Sequence, residues 1–381
     1  MIWVIYFDNS ATSYPKPKEV IEATVYALEN YGSSGRSFYD LSLKSSRCIY
    51  SVREKIAELF HYGFPEQVAF TSNSTEALNI AIKGLFHKGE HVITTVLEHN
   101  SVLRPLYEIE KNGVEITIVS ADSLGRITPE AIEAEIKENT KGIVCTHVSN
   151  LTGYCLDIEK IGKICQENNL YFVLDTSQSA GVLDVDMEKC NITALCFTGH
   201  KGLYGPQGTG GIILRKDVPI KVWKSGGTGV QTFSKNQPDS MPVLLEAGTL
   251  NVHGIAGLGA GIDYINKKGK DVIYHNADIL LRKFYDEIKD IPEITIYGEY
   301  SQKERGAVIA INIADEPSGY VSDYLYQEYE ICTRSGGHCA PLLHQHFHTE
   351  KQGMVRFSFS HQNTMEEIEI AVEALKRYIR E

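Results

Sequence analysis

Between residues 68 and 214 the chain alternates short runs that are apolar from end to end with stretches whose apolar residues recur at helical spacing. The runs are Val68–Thr71, His91–Thr95, Glu115–Val119, Gly142–Val148, Tyr171–Asp175, Ala194–Phe197 and Gly210–Leu214. Helical patterns lie between them at Ser74–Leu85, Val102–Lys111, Pro129–Ile136 and Ile158–Asn168. A strand that shows one face to water alternates apolar and polar residues, whereas a run without alternation is buried on both faces. Such strands, joined through helices, predict a mostly parallel sheet covered on both sides. Ligands of these sheets bind beyond the carboxyl ends of the strands. Asp175 and the Thr198–Lys201 run follow two of those ends.

After about residue 262 the pattern changes. A long helix is expected from Ile262 to about Ile288, then strands at Ile294–Tyr297, Ala307–Ile313, Ile331–Arg334 and Val355–Ser358. A closing helix is capped by Asn363 or Thr364, with Glu366 and Glu367 at its positive end. Ile368, Val372, Leu375 and Ile379 form its apolar stripe. The opening segment through Pro17 is expected to pack near this second, smaller α+β unit, followed by a helix from about Pro17 to Asn30 that stops at Gly32. At 381 residues two domains are the natural expectation, 18–262 and 1–17 with 263–381. No repeat or low-complexity linker separates them.

The formal net charge of −12 speaks against a nucleic-acid binder, which would carry a basic face. The apolar start Met1–Phe7 lacks a basic leader and soon meets Asp8, and no apolar run approaches the ~20 residues of a membrane span. The eight cysteines show no Cys-x-x-Cys spacing. A cytoplasmic, reducing setting without membrane attachment is the expectation.

Two segments carry chemistry. In Cys196-Phe-Thr-Gly-His-Lys-Gly-Leu-Tyr-Gly-Pro-Gln-Gly-Thr-Gly-Gly211, Lys201 passes from a buried strand into a glycine-rich loop. Poor hydration there favours the neutral amine, which can attack an aldehyde. The run lacks a Gly-Lys-Ser/Thr ending and leads into a strand, so it suits neither a nucleotide phosphate loop nor a dinucleotide turn. In Arg334-Ser-Gly-Gly-His-Cys-Ala-Pro341, Cys339 sits in a loop beside His338 and near Arg334. Positive neighbours favour the nucleophilic thiolate. Taken singly, features of this kind have ordinary readings: a strand-terminal aspartate can cap a helix, and a lone histidine or cysteine can be structural.

The lysine segment resembles that of fold-type I, class V aminotransferase-like enzymes that use pyridoxal 5'-phosphate. The second segment resembles the cysteine desulfurase and selenocysteine lyase branch, in its subgroup with a short catalytic loop. The resemblance extends from Phe7-Asp-Asn-Ser-Ala-Thr12 to the last helix. It implies an α/β fold-type I transferase, with a large domain built on a seven-stranded mainly parallel sheet and a smaller α+β C-terminal domain. It also implies Lys201 as the aldehyde-binding lysine, Asp175 at the pyridinium nitrogen, Gln178 at the ring oxygen and His99 stacked on the ring. Ser74, Thr75, Thr198 and His200 would hold the phosphate, and Thr249 would reach the phosphate of a neighbouring subunit, making a homodimer with shared sites. Arg356 would bind the substrate carboxylate, with Asn150 and Arg334 as further substrate contacts. Lys201, Cys339 and His99 would be catalytic, with L-cysteine or L-selenocysteine as substrate and a sulfur-acceptor protein or small thiol as partner. Another specificity on the same fold, such as a transaminase or epimerase, leaves Cys339 idle. A non-enzymatic scaffold leaves the whole set idle.

The Tyr31–Arg36 loop departs from the histidine-containing pattern expected, and Arg36 becomes a candidate for shaping substrate choice. His344, His346 and His348 alternate; in a strand they would share one face and offer metal ligands, but solvated loop histidines and no metal are the reading adopted.

Overall fold

Each apolar run becomes a strand of one sheet. The computed structural model describes residues 4–34 and 39–381, so Arg36 lies outside the described residues. The chain opens with β1 (Ile5–Tyr6), α1 (Lys18–Asn30) and α2 (Asp40–Leu59). There follow β2 (Val68–Thr71), α3 (Ser74–Leu85), β3 (His91–Thr95), α4 (Asn100–Glu110), β4 (Glu115–Val119) and α5 (Pro129–Glu133). β5 (Thr140–Thr146), α6 (Ile158–Glu167), β6 (Tyr171–Asp175), β7 (Ala194–Thr198) and β8 (Gly210–Leu214) complete this part. Strands β2 to β8 form a seven-stranded sheet in the order β2-β8-β7-β6-β5-β3-β4. Only the two pairings of β8 are antiparallel. β8 returns directly beside β7 through the glycine-rich loop, without the crossover helix a parallel partner would need. The exposed Glu115 stands on the edge strand β4, where charge discourages further pairing.

The second part consists of α7 (Val252–Lys268), α8 (Lys270–Ile288), β9 (Ile294–Tyr297), β10 (Val308–Ile313), α9 (Ser318–Tyr329) and β11 (Ile331–Cys332). It ends with β12 (Arg334–Gly336), α10 (Pro341–His346), β13 (Met354–Ser358) and α11 (Met365–Arg380). An antiparallel sheet in the order β12-β13-β10-β9 packs Ile309, Ile311, Val355 and Phe357 against Phe284 of α8 and Leu375 of α11. Thr364 caps α11 in a full capping box with Glu367.

Three expectations are corrected. The long helix begins earlier and is broken: Gly269, at φ 90°, ends α7 and precedes α8, a conformation that suits glycine. The strand expected at Ile331–Arg334 is two strands in different sheets, because β11 pairs with β1 while β12 turns away to β13. The histidine tract is helical only through His346, since Pro341 starts α10, while His348 lies in an exposed turn beyond it. His344 is consequently buried, with Nδ1 2.8 Å from Thr349 Oγ1, and His346 Nε2 meets the Asp122 carbonyl.

The opening segment ties the two parts together. β1 runs parallel to β11, Asp8 bridges to Ser358 at the end of β13, and the Ser13 amide donates to the His200 carbonyl beside Lys201. No helix among the described residues is long and apolar enough to cross a membrane.

Candidate active site

The carboxyl ends of β5, β6 and β7 lie side by side, with Thr146 in register with Asp175 and Asp175 with Cys196. Beyond them, and against the start of α3, lies a cavity of about 290 Å³. Ser74, Thr75, His99, Asp175, Gln178, Thr198, His200 and Lys201 all line it, as do Asn150 and Arg334.

Lys201 stands in a tight turn closed by the Tyr204 amide on its carbonyl and the Gly205 amide on that of Gly199. Burial pushes its amine down to about 8; Asp175 opposes the shift, while Arg356 and Arg334 reinforce it. Asp175 is buried, which raises its carboxyl, and the Ser177 amide and hydroxyl that bond to it work the other way. Gln178 donates from Nε2 to the Ser10 carbonyl at 3.1 Å, which leaves a second amide hydrogen free.

At the opposite wall, Asn73 caps α3 by accepting from the Glu76 amide. The preceding first-turn amides of Ser74 and Thr75 have no partner within the helix and carry its positive end. The Thr75 hydroxyl lies 2.8 Å from that of Ser101. Thr198 Oγ1 is buried without a hydrogen-bond partner. His200 sits with Nδ1 3.1 Å from Thr12 Oγ1, and burial lowers its ring to about 4. His99 caps α4: its Nδ1 accepts from the Ser101 amide at 3.0 Å, so Nε2 carries the proton of the neutral ring. Burial, then Lys201 and Arg334, lower His99 to about 4 and keep that ring neutral at physiological pH.

Arg356 is almost fully enclosed on β13. It donates to the Asn150 carbonyl at 3.0 Å and pairs with Asp8 at 2.7 Å, and its Nε has no partner. Cys339 follows β12 in a loop fastened at two points. The Asn100 amide, next to His99, donates to the Cys339 carbonyl at 2.8 Å, and Asn150 Nδ2 donates to the His338 carbonyl at 2.8 Å. His338 and Cys339 both adopt positive φ, 49° and 55°, a region side chains other than glycine seldom enter. Thr249 lies elsewhere, exposed at the mouths of two other cavities.

Residues 5–370 match the family described as aminotransferase class-V. The chain belongs to the class-V aminotransferases. A relative named as a probable cysteine desulfurase, from Methanothermobacter thermautotrophicus, is 34% identical over 98% of this chain and 94% of its own length. Another of the same name, from Pyrococcus abyssi, is 34% identical over 99% of this chain and 94% of its own. Among solved structures, the apo cysteine desulfurase of Thermococcus onnurineus superposes with a TM-score of 0.93 at 31% identity, covering 99% of this chain and 95% of that one.

In this class-V chain three neighbours of the cavity went unassigned on sequence grounds. Ser101 joins Thr75 to His99, Ser177 holds Asp175, and Asp8 holds Arg356. Ser101 and Ser177 each lie two residues after a residue that was assigned, which is the only local signal they give. Asp8 gives none beyond its place in the opening motif.

Proposed function

We propose that this protein is a pyridoxal-phosphate-dependent cysteine desulfurase, converting L-cysteine to L-alanine with the sulfur retained as a persulfide on Cys339. The observation that carries the reading is one cavity with a half-buried, easily neutralised Lys201 beside Asp175, and a rim hydrogen-bonded to the Cys339 loop. The donor set supports the cofactor. The free amides at the start of α3, the Thr75 hydroxyl and the unpartnered Thr198 Oγ1 suit a phosphate, with His200 beside them. Asp175 suits a pyridinium nitrogen, Gln178 has an amide hydrogen left for the ring oxygen, and His99 offers a neutral ring for stacking.

When bound, the cofactor supplies an electron sink for negative charge at the substrate α-carbon. Arg356, through its open Nε, and Arg334 hold the substrate carboxylate, and Asn150 orients the amino acid. The neutral Lys201 amine takes the α-proton. Cys339 thiolate attacks the substrate sulfur, so an S–S bond forms as the C–S bond breaks. The carbon fragment, reprotonated, leaves as alanine, and His99 Nε2–H is suited to move the thiol proton. Incubation with L-cysteine should give alanine together with a sulfur adduct on Cys339 by mass spectrometry; alanine without any sulfur on that residue counts against the assignment.

Uptake of the aldehyde by the apo protein requires the unprotonated Lys201 amine. With that group near 8, the uptake rate followed by absorbance should rise about tenfold per pH unit below 8 and level off above it. A rate flat from pH 6 to 9 would show that Lys201 is not the group captured.

We also take the protein to be a homodimer whose sites are shared through Thr249. Support comes from the exposure of Thr249 away from its own Lys201 cavity, and from Ile21, Val25 and Leu28, three exposed apolar residues at helical spacing on α1. Light scattering should return twice the mass of one chain. Ile21→Glu combined with Val25→Glu should return a single chain that binds the cofactor weakly.

A further inference from the structure

An unusual pairing stands at the cavity wall, between Arg334, which lines it, and the enclosed Arg356. In the register of β12 and β13, Arg334 stands directly opposite Arg356. Like charges at opposed positions of an antiparallel pair destabilise it, because the side chains lie side by side. The chain answers this with one carboxylate. Asp8 reaches in from the opening segment and binds the Arg356 guanidinium at 2.7 Å, where Arg356 is 1% exposed. Asp8 is itself held in place: it bridges to Ser358, two residues beyond Arg356 on the same strand face, and the next two amides donate to the Ser358 carbonyl and hydroxyl. Arg334, by contrast, lines the cavity, and among the described residues its guanidinium has no ion pair or hydrogen bond.

We propose that Asp8 is a positioning and specificity residue: by neutralising and fixing Arg356 it leaves the arginine pair with one uncompensated positive charge. The site thereby favours amino acids with a single carboxylate over those bearing a second acidic group. The inference rests on the amino-acid-binding reading above. A buried ion pair holds its geometry well, and it adds no net charge for a second anion to meet. Without Asp8 the same pocket presents two positive charges and welcomes a dianionic side.

The test uses the cofactor-loaded protein and follows its visible absorbance as L-alanine or L-aspartate is added, which reports binding without turnover. In Asp8→Asn the dissociation constant for aspartate should fall about tenfold relative to wild type, while that for alanine moves less than about threefold. Asp8→Ser, smaller and also uncharged, should shift the ratio the same way, and Asp8→Glu should keep the wild-type ratio. Equal changes for both ligands, or an unchanged ratio in the uncharged variants, would overturn the proposal and leave Asp8 a structural residue. A wild type that responds to neither amino acid would instead overturn the functional reading, and this inference with it.

Discussion

Replacing Cys339 by serine should lower alanine formation from L-cysteine by about a thousandfold or more, while the loaded protein still responds spectrally to the amino acid. A hydroxyl is a far weaker nucleophile toward sulfur than a thiolate, and it leaves the rest of the cavity intact. Burial disfavours the thiolate at each of the other seven cysteines. Burial raises the thiols of Cys155 and Cys165 to about 12 and that of Cys190 to about 11, and it also raises Cys48, Cys145, Cys196 and Cys332. A persulfide that moved to one of those residues in the variant would contradict the assignment. Turnover of L-selenocysteine should survive the same substitution, because selenium leaves more readily and does not require attack by the thiolate. A variant that loses both substrates equally would mean that Cys339 serves the site in some other way.

Lys201→Met should abolish turnover, by about ten-thousandfold or more, and at the same time make the apo protein more stable at pH 7. The two effects have one cause. The amine faces the cavity, partly buried and poorly hydrated, and its folded-state value is lowered from 10.5 to about 8. That drop, at about 1.36 kcal/mol per unit, corresponds to roughly 3 kcal/mol of destabilisation carried by the charged lysine. The sign follows from the protons bound. Below pH 8 both folded and unfolded lysine are charged, and the full cost is present. Between 8 and 10.5 the unfolded chain binds more protons, so stability rises with pH and the cost disappears. Denaturant midpoints of variant and wild type should therefore differ most at neutral pH and converge toward pH 10.5. A variant less stable than wild type at pH 7 would show that the lysine contributes packing that outweighs its desolvation.

The sheet was legible because most of its strands are buried on both faces, as in β3, β7 and β8, with few polar interruptions. α2 was not, since its buried face carries Ser42, Ser45 and Arg53, which break the apolar stripe a reader looks for. Arg53 is tolerated there because it pairs with Glu246 at 2.6 Å, a residue far along the chain. The break at Gly269 was hidden by apolar residues that continue in phase on either side. At the site, residues sitting on local motifs could be read: the lysine turn, the carboxyl end of β6, the start of α3. What escaped was contact between distant segments. Asp8 and Arg356 are 348 positions apart, and neither segment alone says that they meet. His344 was misjudged for a similar reason, because the wall that encloses it comes from other parts of the fold.

The path of residues 4–13 has a consequence for biogenesis. β1 lies against β11, Asp8 against Arg356, and Ser13 against the turn that bears Lys201. The segment around Asp8 must therefore wait for strands that are made more than 300 residues later before it finds its place. The strands from Val68 to Leu214 can collapse during synthesis, but the pocket they floor stays open until the carboxyl-terminal strands arrive.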